Sequence, residues 1–175
     1  MKLRFGLGLN RVFRIQWQIP KLILLSRFLY FNLPFFGNFL SLSIDRFMLI
    51  IYGIDLMSFS INIKSLSISH PNGVLLGGNG VFSKGRVVIM SGVKFGGKSP
   101  SDKLYLEKHK IQKVFELGDN VVIGTNSTII GPVSICDNVI IGSMSLVNKS
   151  ITEPGIYVGI PVKKISEFVT TEWVD

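Results

Sequence analysis

The feature that most constrains the fold is a six-residue repeat of aliphatic residues in the second half of the chain. Its members are Leu117, Ile123, Ile129, Ile135, Ile141 and Val147. Neither the helical period of about 3.6 residues nor the strand period of about two explains six consecutive hits at this spacing. A hexapeptide period is typical of a parallel β-helix, in which each face of a triangular prism is one short strand. We therefore expect these aliphatic side chains to point into the core.

A weaker copy of the repeat lies earlier in the chain. Ile68 and Val74 are six apart, and a run shifted by two positions follows at Leu76, Phe82 and Val88. The spacing from Val88 to Leu117 is 29 residues, which is not a multiple of six. The sequence therefore predicts an excursion from the prism near 96–116. This segment is polar and basic, and loops that leave a rigid solenoid commonly carry binding function.

The N-terminal third is both basic and apolar. Residues 1–53 hold seven Lys and Arg against one acid, Asp45, whereas the other 122 residues hold twelve against ten. Charged residues and prolines interrupt the apolar clusters before they reach the ~18–20 residues of a spanning helix, and we expect no secretory signal peptide. Short helices are predicted near 21–31 and 40–52. Their apolar faces either pack on the protein or a sister subunit, or contact an anionic membrane surface peripherally.

The residue inventory excludes several classes of protein. A single cysteine, Cys136, rules out a disulfide framework and a cysteine-based zinc site within one chain. With only His70 and His109, a three-histidine metal site is excluded as well, so we expect no metal. No nucleic-acid-binding motif accompanies the basic charge, and nucleic acid is not an expected partner.

Five stretches carry a resemblance to a known family. They are GIDL (53–56), ISHPNGVLLGG (68–78), GVKFGGK (92–98), LGDNVVIG (117–124) and VGIPVKKI (158–165). On these stretches the chain resembles the hexapeptide-repeat acyltransferases, in the serine acetyltransferase-like branch and of the polysaccharide or sugar O-acetyltransferase type. The similarity covers about 55–165.

This resemblance implies an all-β fold, a left-handed parallel β-helix with a short N-terminal helical segment. We expect a helical segment at 1–53, a β-helix acyltransferase domain at 54–165 with the excursion near 96–116, and a tail at 166–175. The resemblance also implies a homotrimer or a dimer of trimers. Acetyl-CoA would be the co-substrate, bound between neighbouring prisms.

The family uses a catalytic Asp and His fifteen residues apart, and Asp55 and His70 match that spacing in matching contexts. A hydroxyl is a poor nucleophile until a base takes its proton, and an imidazole titrating near pH 6.5 suits this task. A carboxylate on the other ring nitrogen fixes the tautomer and stabilises the imidazolium.

The acceptor side departs from the family. Ser69 stands where true serine acetyltransferases have an acidic residue that helps to hold the amino acid. The family's second histidine, just before the coil that starts at Leu117, is also missing, and His109 lies earlier in the excursion. These departures predict an acceptor other than serine, contacted by Ser69 and, from the excursion, by Tyr105 and His109. His109 can equally be a solvated loop residue.

The resemblance also implies where coenzyme A binds, because small residues of this chain match the positions along which it lies in the family. Small side chains suit this role, because they leave the backbone of an exposed strand edge free to pair with the amide-rich pantetheine arm. Cationic residues would suit its phosphates. The predicted cofactor-binding residues are Gly96, Gly97, Lys98, Gly124, Thr125, Gly142, Ser143, Gly159, Lys163 and Lys164. Each glycine can instead be a corner residue of the solenoid.

These inferences predict a cytoplasmic O-acetyltransferase that transfers acetyl from acetyl-CoA to a carbohydrate, such as a surface polysaccharide or its precursor. It would be peripheral at the inner face of the membrane if residues 1–53 contact lipid. Two alternatives remain open. The acceptor can be serine or another small molecule, or the chain can be a catalytically silent β-helix scaffold.

Overall fold

The computed structural model describes residues 15–99 and 101–170, and for residues 15–17 it describes the backbone only. The helices are α1 (Ile15–Asn32), α2 (Gly37–Tyr52), a 3-10 turn (Ser58–Ser60) and α3 (Lys103–Lys110). The strands are β1 (Ile54–Leu56), β2 (Ile61–Ile68), β3 (Val74–Leu76), β4 (Val81–Ile89), β5 (Lys94–Gly97), β6 (Phe115–Leu117), β7 (Val121–Ile123), β8 (Thr128–Gly131), β9 (Val133–Ile135), β10 (Val139–Ile141), β11 (Leu146–Val147), β12 (Gly155–Val158) and β13 (Lys163–Ser166).

Strand pairing winds the chain into a coil with three strands in each turn. Face A stacks β1, β3, β5, β8 and β11 in that order. Face B stacks the first halves of β2 and β4 on β6 and β9, and face C stacks their second halves on β7, β10 and β12. All of these pairs are parallel, and only the last described strand, β13, runs antiparallel, to β12. The predicted parallel β-helix is thus present, together with N-terminal helices.

The six-residue repeat builds the core of this coil. All six members of the repeat, from Leu117 to Val147, are buried at 4% exposure or less. The residues four positions after them form a second inward row of small or β-branched side chains, Val121, Ser127, Val133, Val139 and Ser145. The buried hydroxyls of this row are satisfied, since Ser127 Oγ donates to the Gly142 carbonyl at 2.9 Å. The inward orientation predicted for the repeat is confirmed.

The prediction for the earlier copy of the repeat is partly wrong, because two of its members do not point into the prism. Phe82 and Val88 lie at outward positions, in register with Glu116 and Val122 respectively. Phe82 is half-buried under the Lys113 ammonium, 4.6 Å from its ring centroid. Val88 is fully buried, but in a second cluster outside the prism, where Val169 of the C-terminal segment packs against it. A row of outward apolar residues that is covered from outside, such as Val88, Val122 and Ile140, therefore has the same spacing as the neighbouring core residues and cannot be told from them by spacing alone.

The helices α1 and α2 form a hairpin on the first coil. One stripe of the hairpin faces the coil, with Ile19, Ile23 and Met48 in the main core. Helix α2 ends at Tyr52 and is capped by Gly53, whose φ of +66° is the left-handed conformation that glycine adopts without strain. The observed helices contain the predicted ranges 21–31 and 40–52. The remainder of the predicted segment, 1–14, lies outside the described residues, as does 171–175 of the predicted tail.

A buried polar network joins the hairpin to the prism. Asp45 Oδ2 accepts from the Ser58 backbone N–H at 3.0 Å, and Asp45 Oδ1 accepts from the hydroxyls of Ser26 at 2.9 Å and Ser58 at 2.5 Å. The Ser26 and Ser41 hydroxyl oxygens are 2.8 Å apart. Because a buried carboxylate is tolerated only with such partners, this network fixes how α1 and α2 meet the first coil.

The excursion leaves the third coil after β5 and returns at β6. It contains α3, whose N-terminus is capped by Asp102, with the carboxylate accepting from the Tyr105 backbone N–H at 2.9 Å. An ion pair between Lys108 and Glu116 ties the helix to β6. The coil then resumes in register, because β6 pairs with β4.

Candidate active site

The turns that lead from face C to face A form one edge of the prism, which we call the C–A edge. It consists of residues 69–73, 90–93, 124–127 and 142–145, followed by Gly159. In each turn the first backbone N–H donates to a carbonyl in the face C strand of the next coil, at or next to the end of that strand, at 2.8–3.2 Å. Each turn also has one left-handed residue at the equivalent position, and these are Gly73, Gly92, Asn126 and Met144, with φ of +74°, +68°, +59° and +56°. Residues in equivalent turns therefore lie in straight rows along the edge.

His70 and Asp55 both lie on the first coil. His70 is exposed at the top of the C–A edge, in the turn that precedes β3. Asp55 is the outward, exposed residue of β1 on face A, in register with Leu75. The turn and the strand meet directly, because the Gly73 backbone N–H donates to the Gly53 carbonyl at 3.0 Å. Among the described residues, no hydrogen bond joins the Asp55 carboxylate to the His70 imidazole.

Five of the predicted cofactor-binding residues continue the row below His70. Gly124 and Thr125 are the edge residues of the third coil, Gly142 and Ser143 those of the fourth, and Gly159 follows β12. The edge lacks side-chain bulk here for a packing reason, because a Cβ at Gly124 would meet the Ser143 backbone nitrogen at 2.6 Å. The edge therefore offers the small side chains of Thr125 and Ser143 on two successive coils, with the exposed Met144 side chain next to Ser143.

Gly96, Gly97 and Lys98 border the other side of face A. Gly96 faces open space, with no atom within 4 Å of where its Cβ would lie. Gly97 lies under the Tyr105 ring, and Lys98 N–H donates to the Gly131 carbonyl at 2.9 Å. The predicted cofactor residues thus bracket the outer surface of face A from two sides and do not form a single row.

Lys163 and Lys164 lie on β13, which reverses along β12. Lys164 Nζ is 3.1 Å from Glu153 Oε2 and 3.6 Å from Glu167 Oε1. The hydrogen bond to Glu153 raises the pKa of Lys164, since it favours the charged amine. Within this chain the Lys164 charge is therefore already paired with carboxylates.

The predicted acceptor residues lie at two places. Ser69 is half-buried beside His70, with its backbone N–H bonded to the Ile89 carbonyl at 3.2 Å. His109 and Tyr105 lie on α3, across face A from His70. His109 Nε2 is 2.7 Å from Asn79 Nδ2, in the turn between β3 and β4, so this histidine is held by its own chain.

Lys94 is a residue on this surface that the sequence did not single out. It is the exposed, outward residue of β5 on face A, two coils along the row that begins at Asp55. Its Nζ donates to the Gly92 carbonyl on the C–A edge at 3.0 Å. Its alternation with buried Val93 and Phe95 could have marked it as an outward cation.

A separate groove lies on face B and the corner that follows it. It has a volume of about 630 Å³ and is lined in part by Lys84, Asp119 and Cys136. Burial raises the pKa of the Cys136 thiol, which disfavours the reactive thiolate. Because neither His70 nor Asp55 borders this groove, we place the candidate site on face A and the C–A edge instead.

Two kinds of feature are absent from the part of the chain that the structure describes. In that part of the chain, no group of three or more His, Cys, Asp or Glu side chains is arranged to hold a metal ion. Also within 15–99 and 101–170, no helix has the length and apolar character needed to cross a membrane.

Comparisons with known proteins bear on the fold and on the repeat. Residues 116–149 match the family model described as bacterial transferase hexapeptide (six repeats). Among curated proteins, the chain is 36% identical over 98 residues to a serine acetyltransferase of Staphylococcus epidermidis and 33% identical to one of Staphylococcus aureus. Each alignment covers 56% of this chain and 42% of the relative, so the chain spans about two fifths of the length of these relatives.

Solved structures extend the likeness to the helices. The serine acetyltransferase of Neisseria gonorrhoeae aligns with a TM-score of 0.76 at 21% identity, over 94% of this chain and 59% of that one. The Brucella abortus enzyme in complex with coenzyme A aligns with a TM-score of 0.71 at 19% identity, over 91% and 59%. These names do not support the polysaccharide or sugar branch predicted from the sequence. The chain has the fold of the serine acetyltransferase structures and carries a hexapeptide-transferase repeat.

Proposed function

We propose that this chain is an acetyl-CoA-dependent O-acetyltransferase with its active site on face A and the C–A edge. The observation that carries the proposal is the placement of His70 and Asp55 on the first coil, at the head of a row of small residues. The relatives named serine acetyltransferase and the coenzyme A complex of a structure with the same fold support it.

In this proposal His70 is the general base. Its imidazole would take the proton of the acceptor hydroxyl while the hydroxyl oxygen attacks the thioester carbon. The carbon–sulfur bond then breaks, and the imidazolium returns the proton to the departing thiolate. Asp55 would orient the ring and stabilise the imidazolium. The acetyl group is thus moved from sulfur to oxygen without net consumption of a proton.

The small residues of the edge would hold the pantetheine arm of acetyl-CoA. Thr125 and Ser143 are the half-buried and exposed small residues that the arm would contact on the C–A edge, and Gly96 leaves the far border of face A open. Lys94 and Lys98 are the cations nearest to this surface that suit the phosphates. The coil is taken to be left-handed and the assembly a homotrimer or dimer of trimers, in which a neighbouring prism would close the open side of face A.

The first acceptor to consider is serine, because the relatives carry that name. This reverses the preference for a carbohydrate drawn from the sequence. A carbohydrate remains the second candidate for one reason. Ser69 cannot supply the carboxylate that would pair with the amino group of serine, and His109, another of the predicted contacts, is engaged by Asn79.

The test is release of coenzyme A thiol by the purified full-length chain, with serine, free sugars, sialic acid and polysaccharide offered in turn. Acceptor-dependent release that falls about 100-fold or more in His70→Ala is expected, since a general base contributes at least that factor. Lys84→Ala is the matched control, because Lys84 lines the face B groove and is given no role here.

Each result has a distinct meaning. Turnover with serine alone settles the acceptor, and turnover with a carbohydrate alone restores the prediction from the sequence. Equal turnover by wild type and His70→Ala contradicts the assigned base. If the chain neither binds nor turns over acetyl-CoA, the scaffold alternative replaces the enzyme.

A further inference from the structure

The outer surface of the α1–α2 hairpin is apolar to an unusual degree. Around the connection between the helices, five phenylalanines are 60–91% exposed, and they are Phe28, Phe31, Phe35, Phe36 and Phe39. Further along α2, Ile50 and Ile51 are 79% and 58% exposed. Monomeric proteins rarely expose contiguous apolar patches of this kind unless the patch is an interaction site.

The same surface carries no exposed charge over a long stretch. Between Lys21 and Arg46 the charged residues are Arg27 and Asp45. Arg27 is half-buried and donates to the Ile61 carbonyl of the prism, and Asp45 is buried in its serine network. Both charges are therefore turned toward the protein, and the outward surface of 22–45 is neutral.

Two of the three exposed polar side chains on this stretch, those other than Asn38, donate to carbonyls of their own helices. Asn32 Nδ2 donates to the Phe28 carbonyl and Ser43 Oγ to the Phe39 carbonyl, each at 2.8 Å. Both bonds follow the i to i−4 pattern. Side chains that bond to their own helix can enter an apolar medium without losing a partner.

Exposed cations flank the neutral stretch at similar distances from its tip. Lys21 lies eleven residues before the end of α1, and Arg46 lies nine residues after the start of α2. At a rise of 1.5 Å per residue these distances are about 16 Å and about 14 Å. The hairpin thus has an apolar tip with a basic residue on each arm.

We infer that the hairpin is a membrane-docking element whose phenylalanine tip enters the surface of a bilayer that contains anionic lipid. Aromatic and aliphatic side chains would lie at the headgroup–acyl boundary, while long basic side chains reach back to the phosphates. This inference does not depend on the proposed enzyme activity, because it rests on a different part of the chain.

The charge of the hairpin favours a bilayer over a second copy of the chain as the partner that covers its apolar surface. Residues 1–53 hold seven basic residues and one acid, and that acid, Asp45, is buried. The exposed charges on the described hairpin, Lys21 and Arg46, are both cations, so two hairpins packed side by side would bring like charges together, which opposes association. An anionic lipid surface attracts the same charges.

The experiment is co-sedimentation of the full-length chain with vesicles of phosphatidylcholine alone and of phosphatidylcholine with roughly 30% phosphatidylglycerol. We expect binding to the anionic vesicles, weaker binding to the neutral ones, and weakening with added salt. The double variant Phe35→Ser/Phe36→Ser is expected to bind about tenfold more weakly or worse, because both rings leave the interface.

Phe168→Ser is the matched control, because Phe168 is 77% exposed but lies after β13, away from the hairpin. It should bind as the wild type does. Lys21→Glu/Arg46→Glu should remove the preference for anionic vesicles while leaving the secondary structure unchanged by circular dichroism. The single variant Phe39→Ser repeats the test should the double variant fold poorly.

Three outcomes overturn the inference. The wild type does not sediment with either vesicle, or the folded tip variants bind as well as the wild type does. In the third outcome the wild type does not bind vesicles, and light scattering shows that the tip variants form an assembly of lower mass than the wild type does. That result would identify the hairpin as a contact between copies.

Discussion

The prism and the hairpin treat the same kind of side chain in opposite ways. Phe95 of the prism is 0% exposed and packs edge-to-face on Phe115, with ring centroids 4.9 Å apart. Phe35 of the hairpin is 91% exposed. In the prism, each coil presents its apolar residues to the coil above and the coil below, so burial is complete within one chain. The hairpin contacts the prism along one stripe, and among the described residues many of its other apolar side chains, such as Phe35, Phe36 and Ile50, stay exposed.

Because burial differs in this way, apolar residues have a different meaning in the sequence of each region. In a repeat, the period itself assigns a side chain to the core, because stacked coils put equal phases in one row. In a helical hairpin, exposed apolar residues outside the buried stripe do not contribute to the core. Such residues are candidates for an interaction surface.

Replacing a buried ring and an exposed ring by the same residue should separate the two regions most clearly. We expect Phe95→Ala to lower the free energy of unfolding by about 3–5 kcal/mol, since it leaves a cavity in the prism. Phe35→Ala should change it by no more than about 0.5 kcal/mol. Urea unfolding at one protein concentration measures both. Comparable losses for the two variants would show that the hairpin tip is buried in the folded assembly.

Weakening the junction between the regions should have a smaller effect. Asp45→Asn keeps the shape but leaves one of the Ser26 and Ser58 donors facing an amide NH₂ group. We expect a loss of about 1–3 kcal/mol and faster amide hydrogen exchange in α2. Ser43→Ala, which removes an exposed hydroxyl, is the control and should be nearly neutral. An unchanged exchange rate in α2 would mean that the network does not anchor the hairpin.

The smallest expected effect concerns backbone strain on the C–A edge. Met144 occupies a left-handed position that asparagine fills one coil earlier, at Asn126. Met144→Asn should raise the free energy of unfolding by up to about 1 kcal/mol, because asparagine tolerates this conformation better. Gly92→Ala at the equivalent position should instead destabilise, since its Cβ would clash with the Asn126 side chain. Thermal unfolding compares them, and a loss in Met144→Asn would contradict the equivalence of the turns.

The regular coils were predictable from the sequence, and the exceptions have physical reasons. The repeat from Leu117 to Val147 reports stacking directly, so its orientation could be predicted. Phe82 and Val88 could not be assigned by period alone, because Lys113 lies over Phe82 and Val88 belongs to an outer apolar cluster against which Val169 packs. Asp45 looked like an interruption of an apolar cluster. Its partner Ser58 lies in another element, which no local pattern reveals.

The candidate site was predictable to the same extent. Gly124 and Gly142 are eighteen residues apart, three hexapeptides, which places them on one edge. Gly96 and Gly97 fall on the opposite border of face A, because they end a strand where the edge residues precede one. Lys164 is held by carboxylates because β13 reverses direction, a turn that the repeat does not encode. The roles of His70 and Asp55 stay predictions.

The most direct test of the division between the regions is acetyl-CoA thiol release by three forms of the full-length chain in solution, without vesicles. The forms are wild type, His70→Ala and Phe35→Ser/Phe36→Ser. We expect turnover by the wild type, a loss of about 100-fold or more in His70→Ala, and a wild-type rate in the hairpin variant. Loss of turnover in the hairpin variant, or its persistence in His70→Ala, would contradict an active site carried by the prism alone.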